Sequence, residues 1–578
     1  MRGLMTKYLR PHRGLVAGLS AALVLATVLP LAGPQLLRRF IDQATAGRPV
    51  AALVRTAGAY LAVALAGQVI AVVATYVASR LAWTTTNRMR EDLVEHVLSL
   101  DLAYHGEHTA GELIERVDGD VTSLGEFLSK FLFQVLGSLL LLVGAVVLVL
   151  REDLRIGLAL VVFLGLAGVV VVRFQQMTVP LAMAEREATA QVIGNLEERL
   201  AGAEEIRALG ASAHVLNRFH EVNAAAYRAN FRWEVRSGGL LVLTNLLFAM
   251  GTALMLVLGV VMLRGGSLSV GTVVLLFQYT VMVRRPLEQV IQQFKELQKA
   301  AAGAARVIQL FGERATILDA DGARPVAPSG PLSVVLDGVT FAYPSDPDEA
   351  VLRDVSLRLE PGRSLGLVGR TGSGKTTIAR LLLRLYDVAE GAVIVGGVDL
   401  RQVASPSMRS RVRLVTQDVQ LFAADLRDNL TLFARDVPDA RLVEVVDELG
   451  LGEWFRSLPN GLDTVLEPNG GGVSAGEAQL LAFARVFLAD PGLVILDEAS
   501  SRLDPATEVL IDRALDKLLE GRTAVIIAHR LSSLERVDEI AVLDHGRVVE
   551  HGTRTALAGD PSTRFGHLLS VAQSGARR

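Results

Sequence analysis

Six stretches in the first half of the chain are apolar enough to cross a bilayer, whose hydrocarbon core takes about 20 helical residues. They lie at residues 14–37, 56–79, 132–150, 154–174, 239–263 and 271–287. Two long polar connections, residues 80–131 and 175–238, separate them and carry apolar residues at helical spacing. The pattern predicts a six-helix polytopic α-helical transmembrane domain with long helical connections on one side.

The second half of the chain has a different pattern. Residues 318–331, rich in proline, glycine and alanine, interrupt it after an amphipathic helical segment. From residue 332 onward, short β-branched runs alternate with helical patterns, which predicts an α/β domain with a largely parallel sheet. We therefore expect a transmembrane domain over residues 1–317, a linker over 318–331 and an α/β domain over 332–578.

Composition and charge agree with a membrane domain joined to a soluble one. The 578 residues are 51% hydrophobic, and the mean hydropathy is +0.39. A net charge of −3 gives no overall electrostatic attraction for nucleic acid. The chain has no cysteine, which excludes disulfides and cysteine-ligated metal centres.

The first residues, MRGLMTKYLRPHRG, are basic and lead into the first apolar stretch without a cleavage site. Because basic residues favour the cytoplasmic side, we place the N-terminus, the long connections and the α/β domain in the cytoplasm. The chain is expected to be a multi-pass protein of the cell (plasma or inner) membrane.

A glycine-rich loop carries the first chemical signal. The stretch GRTGSGKTT, residues 369–377, fits G-x-x-x-x-G-K-[ST], follows a strand-like run and opens a helical one, as a phosphate-binding P-loop does. Backbone N–H groups would surround the phosphates of ATP, Lys375 would bind the β- and γ-phosphates, and Thr376 would hold Mg²⁺. The candidate nucleotide contacts are Gly369, Arg370, Thr371, Gly372, Ser373, Gly374, Lys375, Thr376 and Thr377.

Two adjacent acids end the apolar run LVILDEAS. Carboxylates at the end of a buried strand are costly to desolvate unless a cation or a reaction partner compensates. Asp497 is therefore the candidate Mg²⁺ partner, and Glu498 is the candidate general base for the attacking water.

Together these motifs resemble the ATP-binding cassette (ABC) exporters, and the likeness covers nearly the whole chain as a half-transporter with a fused nucleotide-binding domain. The resemblance implies that Tyr343, in FAYP, stacks on adenine and that Gln417, in LVTQD, contacts Mg²⁺ and the catalytic centre. It also implies that His529, in IIAHR, is the switch histidine and that Asp504, in SRLDP, belongs to the D-loop.

Two cytoplasmic segments of the first half also resemble the family. Residues 104–121 and 204–212 look like the intracellular loops that contact the nucleotide domains of exporters. The first contains HGEH, but His105 and His108 alone do not make a zinc site, because zinc needs three or four ligands.

The stretch GGVSAGEAQ, residues 471–479, occupies the position of the family's signature LSGGQ, which binds the γ-phosphate held by the opposite nucleotide domain. Ser474 and Gly476 are kept, whereas Ala475 and Glu477 replace glycine and glutamine. Alanine adds a methyl group, and glutamate brings a carboxylate close to a polyanion. A chain with its own catalytic residues but an altered signature is typical of one member of a heterodimer, although a homodimer stays open as an alternative.

The expected function is ATP-driven export of an amphipathic or hydrophobic small molecule, lipid or peptide by alternating access, together with a second half-transporter in the bilayer. An ATP-gated channel or regulatory membrane subunit is the alternative from another class, and retention of Glu498 and His529 favours hydrolysis over it. The polar residues of the apolar stretches do not identify the substrate; they are Gln68, Gln134, Asn245, Gln278 and Tyr279.

Overall fold

The structure is a computed structural model that describes residues 2–576 except 328, 435, 468–471, 498–504 and 529–530. Two compact units are present: the first combines Met1–Leu98 with Gly111–Glu313, and the second combines Ser99–Ala110 with Arg314–Arg578.

Helices make up the described part of the first unit. The α-helices before residue 314 are α1 Arg2–Leu9, α2 Arg13–Thr45, α3 Val50–Ser99, α4 Leu102–Glu107, α5 Ala110–Ile114, α6 Val121–Glu126, α7 Leu132–Glu152, α8 Leu154–Ala201, α9 Ala203–Ala208, α10 Ser212–Arg264, α11 Val270–Met282, α12 Arg284–Gln292 and α13 Phe294–Gly312. Of these, the short α4 belongs to the second unit. Two π-helical turns, Glu115–Asp120 and Phe127–Phe131, join α5, α6 and α7.

Five helices in the described part of the chain are long and apolar enough to cross a membrane. They are Gly3–Thr45, Val50–Ser99, Ala110–Glu152, Leu154–Ala201 and Ser212–Arg264. The polar connections between them are helical, as predicted, because α3 continues to Ser99 and α8 to Ala201.

The predicted sixth span, residues 271–287, is not confirmed as one long helix. The helix α11 has 13 residues and ends at Met282, and α12 begins at Arg284. The physical reason is Pro286, which has no N–H to donate to the carbonyl of Met282 four residues earlier. The chain therefore divides at Val283 into two shorter helices.

Buried polar contacts fix α11 and α13 within the first unit. The Tyr279 hydroxyl, fully buried, donates a 2.8 Å hydrogen bond to the carbonyl of Leu31 in α2. On α13, the guanidinium of Arg306 forms a bidentate ion pair with Asp120, whose Oδ2 accepts from Nε at 2.7 Å. Asp120 is 2% exposed, so this pairing compensates a buried charge.

The described part of the second unit contains ten strands and the remaining helices. The strands are β1 Val334–Phe341, β2 Leu352–Leu359, β3 Ser364–Gly369, β4 Glu390–Val395, β5 Val398–Asp399, β6 Val412–Val415, β7 Leu493–Asp497, β8 Thr523–Ile527, β9 Glu539–Asp544 and β10 Arg547–Thr553. The helices are α14 Lys375–Leu382, α15 Ser405–Arg411, α16 Leu426–Thr431, α17 Asp439–Glu448, α18 Gly452–Ser457, α19 Ala475–Ala489, α20 Pro505–Leu519, α21 Arg554–Gly559 and α22 Arg564–Ala576.

The larger sheet has the order β10-β9-β3-β8-β7-β6 and is parallel except for β10, which confirms the predicted α/β architecture. A separate antiparallel sheet, β2-β1-β4-β5, was not predicted. The central strands of the larger sheet are buried along nearly their whole length, so their apolar runs are continuous.

Residues Ser99–Ala110 join the second unit through Asp101. Its carboxylate accepts hydrogen bonds from the Thr316 hydroxyl at 2.7 Å and from the backbone N–H of Ile317 at 3.3 Å. This part of the first cytoplasmic connection is thus bonded to the segment that precedes the nucleotide-binding strands.

Candidate nucleotide-binding site

The P-loop lies at one edge of the parallel sheet. It joins the end of β3 at Gly369 to the start of α14 at Lys375. In the sheet β3 pairs with β8, which pairs with β7, and β7 ends at Asp497. Since the carboxyl ends of parallel strands meet at one edge, the loop and Asp497 face the same crevice.

Two glycines of the loop adopt a left-handed backbone that other residues rarely take. The φ angles are +81° at Gly372 and +104° at Gly374. A side chain at Gly374 would also meet the side chain of Leu352. The glycines thus allow the loop to close tightly and turn its N–H groups toward a ligand.

The start of α14 is open to an anion. The first N–H groups of any helix have no intrahelical acceptor, and no side chain caps α14. Arg370, Thr371, Gly372 and Thr376 are exposed around it. The N–H groups at the helix start and the helix dipole suit the phosphates of ATP.

The lysine and serine of the loop point to the same ligand. Lys375 is only 5% exposed, and its ammonium donates to the carbonyls of Gly369 at 2.7 Å and Arg370 at 3.0 Å. The hydroxyl of Ser373 is buried and has no hydrogen-bond partner among the described residues. A polyanion in the loop would supply an acceptor for this hydroxyl and a counter-charge for the ammonium.

Tyr343 lies beside the loop in a cluster of aromatic rings. Its ring packs edge-on against Phe341 at 5.0 Å and Tyr386 at 5.3 Å between centroids. Its hydroxyl lies 2.9 Å from the Thr377 hydroxyl and accepts a 3.1 Å bond from Arg380. These contacts hold the ring next to the P-loop helix, and Thr377 thereby has a structural role as well as its place in the motif.

The remaining catalytic candidates are only partly described. Asp497 is half-buried at the end of β7, and Gln417 is exposed just beyond β6. Glu498, Asp504 and His529 lie outside the described residues. Within the described ranges, no group of three or more His, Asp or Glu side chains forms a metal site. Mg²⁺ commonly takes one or two protein ligands together with phosphates and waters, a demand that Thr376 and Asp497 fit.

The signature residues form the start of α19. Ser474 is the N-cap, and its hydroxyl accepts a 3.2 Å hydrogen bond from the N–H of Glu477. The carboxylate of Glu477 accepts a 2.7 Å bond from the N–H of Ser474 in return. This capping box places the Glu477 carboxylate at the helix start, and Gly476 is buried beneath it.

Sequence reasoning missed one residue of this region, Arg485 on α19. It donates to the carbonyl of Asn429 at 2.7 Å and to the carbonyl of Gln420 at 2.9 Å. Burial lowers the pKa of its guanidinium. Arg485 therefore connects α19, the helix that begins at the signature residues, to the segment that carries Gln417. No local sequence motif predicts this contact.

Comparison with known proteins identifies the family. The chain matches the ABC transporter transmembrane region over residues 18–287 and the ABC transporter nucleotide-binding model over residues 352–501. It is 30% identical to an uncharacterized ABC transporter ATP-binding protein, YfiC, of Bacillus subtilis, over 95% of this chain and 91% of that protein. The chain is an ABC transporter.

Two further similarities support this assignment. A fatty acid ABC transporter ATP-binding/permease protein of Mycobacterium tuberculosis is 32% identical over 86% of this chain and 79% of its own. The structure of a bacterial Atm1-family ABC exporter with ATP bound superposes with a TM-score of 0.78 at 25% identity, covering 97% of this chain and 98% of the other.

The family assignment identifies the second unit, which contains the P-loop, as the nucleotide-binding domain. This ABC transporter binds ATP and couples its hydrolysis to transport. It is a multi-pass membrane protein whose nucleotide-binding domain is cytoplasmic.

Proposed function

We propose that this ABC transporter is one half of an asymmetric exporter that moves an amphipathic or hydrophobic substrate out of the cytoplasm or inner leaflet. Residues 1–317 would form the transmembrane domain, in which residues 271–287 make the sixth crossing, and residues 332–578 the nucleotide-binding domain, with 318–331 as the linker. ATP binding closes two nucleotide domains and opens the substrate cavity outward, and hydrolysis resets the cycle.

In this proposal the chain supplies the complete hydrolytic set of one ATP site. The P-loop residues 369–377 bind the phosphates and Tyr343 stacks on adenine. Thr376, Asp497 and Gln417 would hold Mg²⁺, and the bound cation would offset the charge that develops on the phosphates. Glu498 accepts the proton of the attacking water, and His529 and Asp504 complete the site.

The observation that carries the asymmetry is the capping box between Ser474 and Glu477. A γ-phosphate held by the partner would need the hydroxyl and N–H groups at the start of α19. The Glu477 carboxylate already binds one of these N–H groups and repels a polyanion. The signature of this chain therefore serves the partner's site weakly, which suits a heterodimer whose second site does little hydrolysis.

The test is ATPase activity of the purified chain in nanodiscs, alone and with the product of an adjacent half-transporter gene. We expect activity only with the partner and its loss on Glu498→Gln in this chain. Strong activity of the chain alone, abolished by Glu498→Gln, would instead establish a homodimer. Activity that is insensitive to Glu498→Gln would refute the assigned general base.

The substrate class is supported by the membrane domain and by similarity. The spans are almost free of ionisable residues, so most of the surface that they offer suits the apolar part of a substrate. The mycobacterial relative is named as a fatty acid transporter, and a fatty acid is an amphipathic substrate of the proposed class.

A further inference from the structure

A cavity of about 1020 Å³ lies within the first unit, among α2, α3, α7 and the segment 281–289. Ser79 on its wall is the last residue of the second apolar stretch, before α3 continues toward the cytoplasm. Gln134 lies near the cytoplasmic start of the third apolar stretch. The cavity is therefore at the depth of the inner-leaflet headgroups and the first part of the acyl chains.

Several polar groups of the cavity wall are paired with one another. Arg284 donates a 3.1 Å hydrogen bond to Glu288, and its guanidinium also bonds Asn245. The Ser138 hydroxyl donates to the side-chain oxygen of Gln289 at 2.7 Å. These contacts use the protein's own donors and acceptors and leave little for a ligand.

Arg285 differs from its neighbour. It lines the same cavity and is exposed, and among the described residues it makes no hydrogen bond and no ion pair. Two arginines and one glutamate line the cavity, so the wall carries a net positive charge. An arginine at the membrane surface commonly reaches headgroups, but this one faces a cavity that also has an apolar wall.

The apolar part of the wall includes Leu23, Leu141 and Met282. The exposed guanidinium of Arg285 lies beside this surface with its donors available, and such planar donors match carboxylate and phosphate oxygens in pairs. We propose that the cavity binds an amphipathic anion, with a carboxylate or phosphate head on Arg285 and an apolar tail along Leu23, Leu141 and Met282. The inference rests on the proposed function, since it names the substrate class of that exporter.

The experiment uses a photoactivatable dodecanoate that carries a diazirine on its chain. The full-length chain is held in phosphatidylcholine nanodiscs without nucleotide, irradiated and digested, and the labelled peptides are mapped by mass spectrometry. We expect labels on the peptides that contain Leu23, Leu141 or Met282. Unlabelled dodecanoate and dodecyl phosphate compete for these positions, whereas dodecyltrimethylammonium does not.

Substitutions of two arginines separate the cavity charge from a general surface charge. Arg285→Gln lowers labelling of the cavity peptides about tenfold, because a charge-assisted bidentate contact is lost. Arg285→Lys keeps most of it. Arg264→Gln is the matched control, since Arg264 is exposed at the end of α10 and does not line the cavity. Apparent melting temperatures show that all three variants are folded.

Equal labelling of wild type and Arg285→Gln, or equal competition by the cationic amphiphile, would overturn the proposal. Nanodiscs with phosphatidylglycerol identify the source of the anion. If this lipid competes, bilayer anions reach the site, and if it does not, the site takes the free amphiphile.

Failure of the proposed function would look different from failure of this site. If the proposed hydrolytic site is wrong, Glu498→Gln leaves the ATPase activity unchanged while anion-selective labelling at the cavity persists. If the site is wrong, ATPase activity still depends on Glu498 while labelling ignores Arg285.

Discussion

Glu477 accepts a 2.7 Å hydrogen bond from the backbone N–H of Ser474, and the Ser474 hydroxyl accepts one of 3.2 Å from the N–H of Glu477. Reciprocal bonds of this kind stabilise the start of α19. In the proposed function they also occupy groups that this signature would offer to a γ-phosphate. The residue that favours the folded helix therefore opposes the ligand that the helix start would bind.

Replacing Glu477 with glutamine is expected to strengthen the binding of ATP to the signature segment. Glutamine still forms a capping box but carries no charge, so repulsion of the nucleotide falls by on the order of 1 kcal/mol, or about fivefold in the ATP concentration for half-maximal activity. The measurement is the ATPase activity of the assembled transporter over a range of ATP concentrations. The helix loses a favourable dipole interaction, so the apparent melting temperature drops slightly.

Glu444→Gln provides the control for this change. Glu444 is an exposed glutamate of α17 that pairs with Arg441. The same loss of charge there should leave the ATP dependence unaltered. If Glu477→Gln behaves like Glu444→Gln, then the carboxylate does not weaken the signature and the argument for asymmetry is lost.

The parts of this ABC transporter that follow from sequence are those with local signals. The length of the apolar stretches predicted six spans, of which five are long helices, and the P-loop motif placed Lys375 at the start of a helix after a strand. The break at Val283 was missed because hydropathy averages over Pro286, whose effect is on backbone hydrogen bonds. Apolar runs could not separate the antiparallel sheet from the parallel one.

Contacts between distant residues were beyond sequence reasoning. Arg485 and Asn429 are 56 positions apart, and neither has a spacing that announces a bond. The same holds for Tyr343 and Thr377, where the candidate adenine-stacking ring and the P-loop helix meet. Such contacts depend on how the elements pack, which local patterns do not specify.

Tyr343 offers a test that separates ring from hydroxyl. Tyr343→Phe loses the contacts with Thr377 and Arg380 but keeps the ring, so we expect ATP affinity to change by less than about threefold. Tyr343→Ala removes the ring and should weaken binding by about 1–3 kcal/mol, as loss of a base stack does. Affinity is measured by titration with a fluorescent ATP analogue on a Glu498→Gln background.

Tyr386→Leu is the control for indirect effects on this site. It removes a packing partner of Tyr343 but not the candidate stacking ring. An affinity loss in Tyr343→Phe as large as in Tyr343→Ala would show that the hydroxyl, rather than the ring face, supports the nucleotide.

Arg485 is expected to stabilise the second unit and to order the segment near Gln417. Arg485→Ala leaves the carbonyls of Asn429 and Gln420 without this donor and should destabilise the domain by about 2 kcal/mol, while Arg485→Lys keeps part of the bonding. Thermal unfolding measures the first effect. Hydrogen exchange measures the second, as faster exchange over residues 417–429.

Substitution of an exposed arginine is the control that separates loss of the specific Arg485 contacts from loss of a positive charge. Arg358 on β2 pairs with Glu360 at the surface and with no other side chain in the described ranges, and Arg358→Ala should change stability by less than about 1 kcal/mol. Unchanged exchange over residues 417–429 in Arg485→Ala would contradict the proposed connection between the signature helix and Gln417.

The N-terminal helix gives a prediction in pH. The Tyr8 hydroxyl donates a 2.6 Å hydrogen bond to the carboxylate of Asp92, and this bond is the main reason why the pKa of Asp92 lies below its usual value. The ammonium of Lys7, 3.2 Å from the same carboxylate, lowers that pKa further. A lowered pKa means that the stabilisation is present above the unfolded value of about 3.9 and is lost as the pH falls through the folded one. Asp92→Asn should therefore lower the apparent melting temperature at pH 7, and its difference from wild type should shrink towards pH 3. Glu95→Gln, an exposed change on the same helix, should show no such trend, and a difference that stays constant with pH would contradict the assignment.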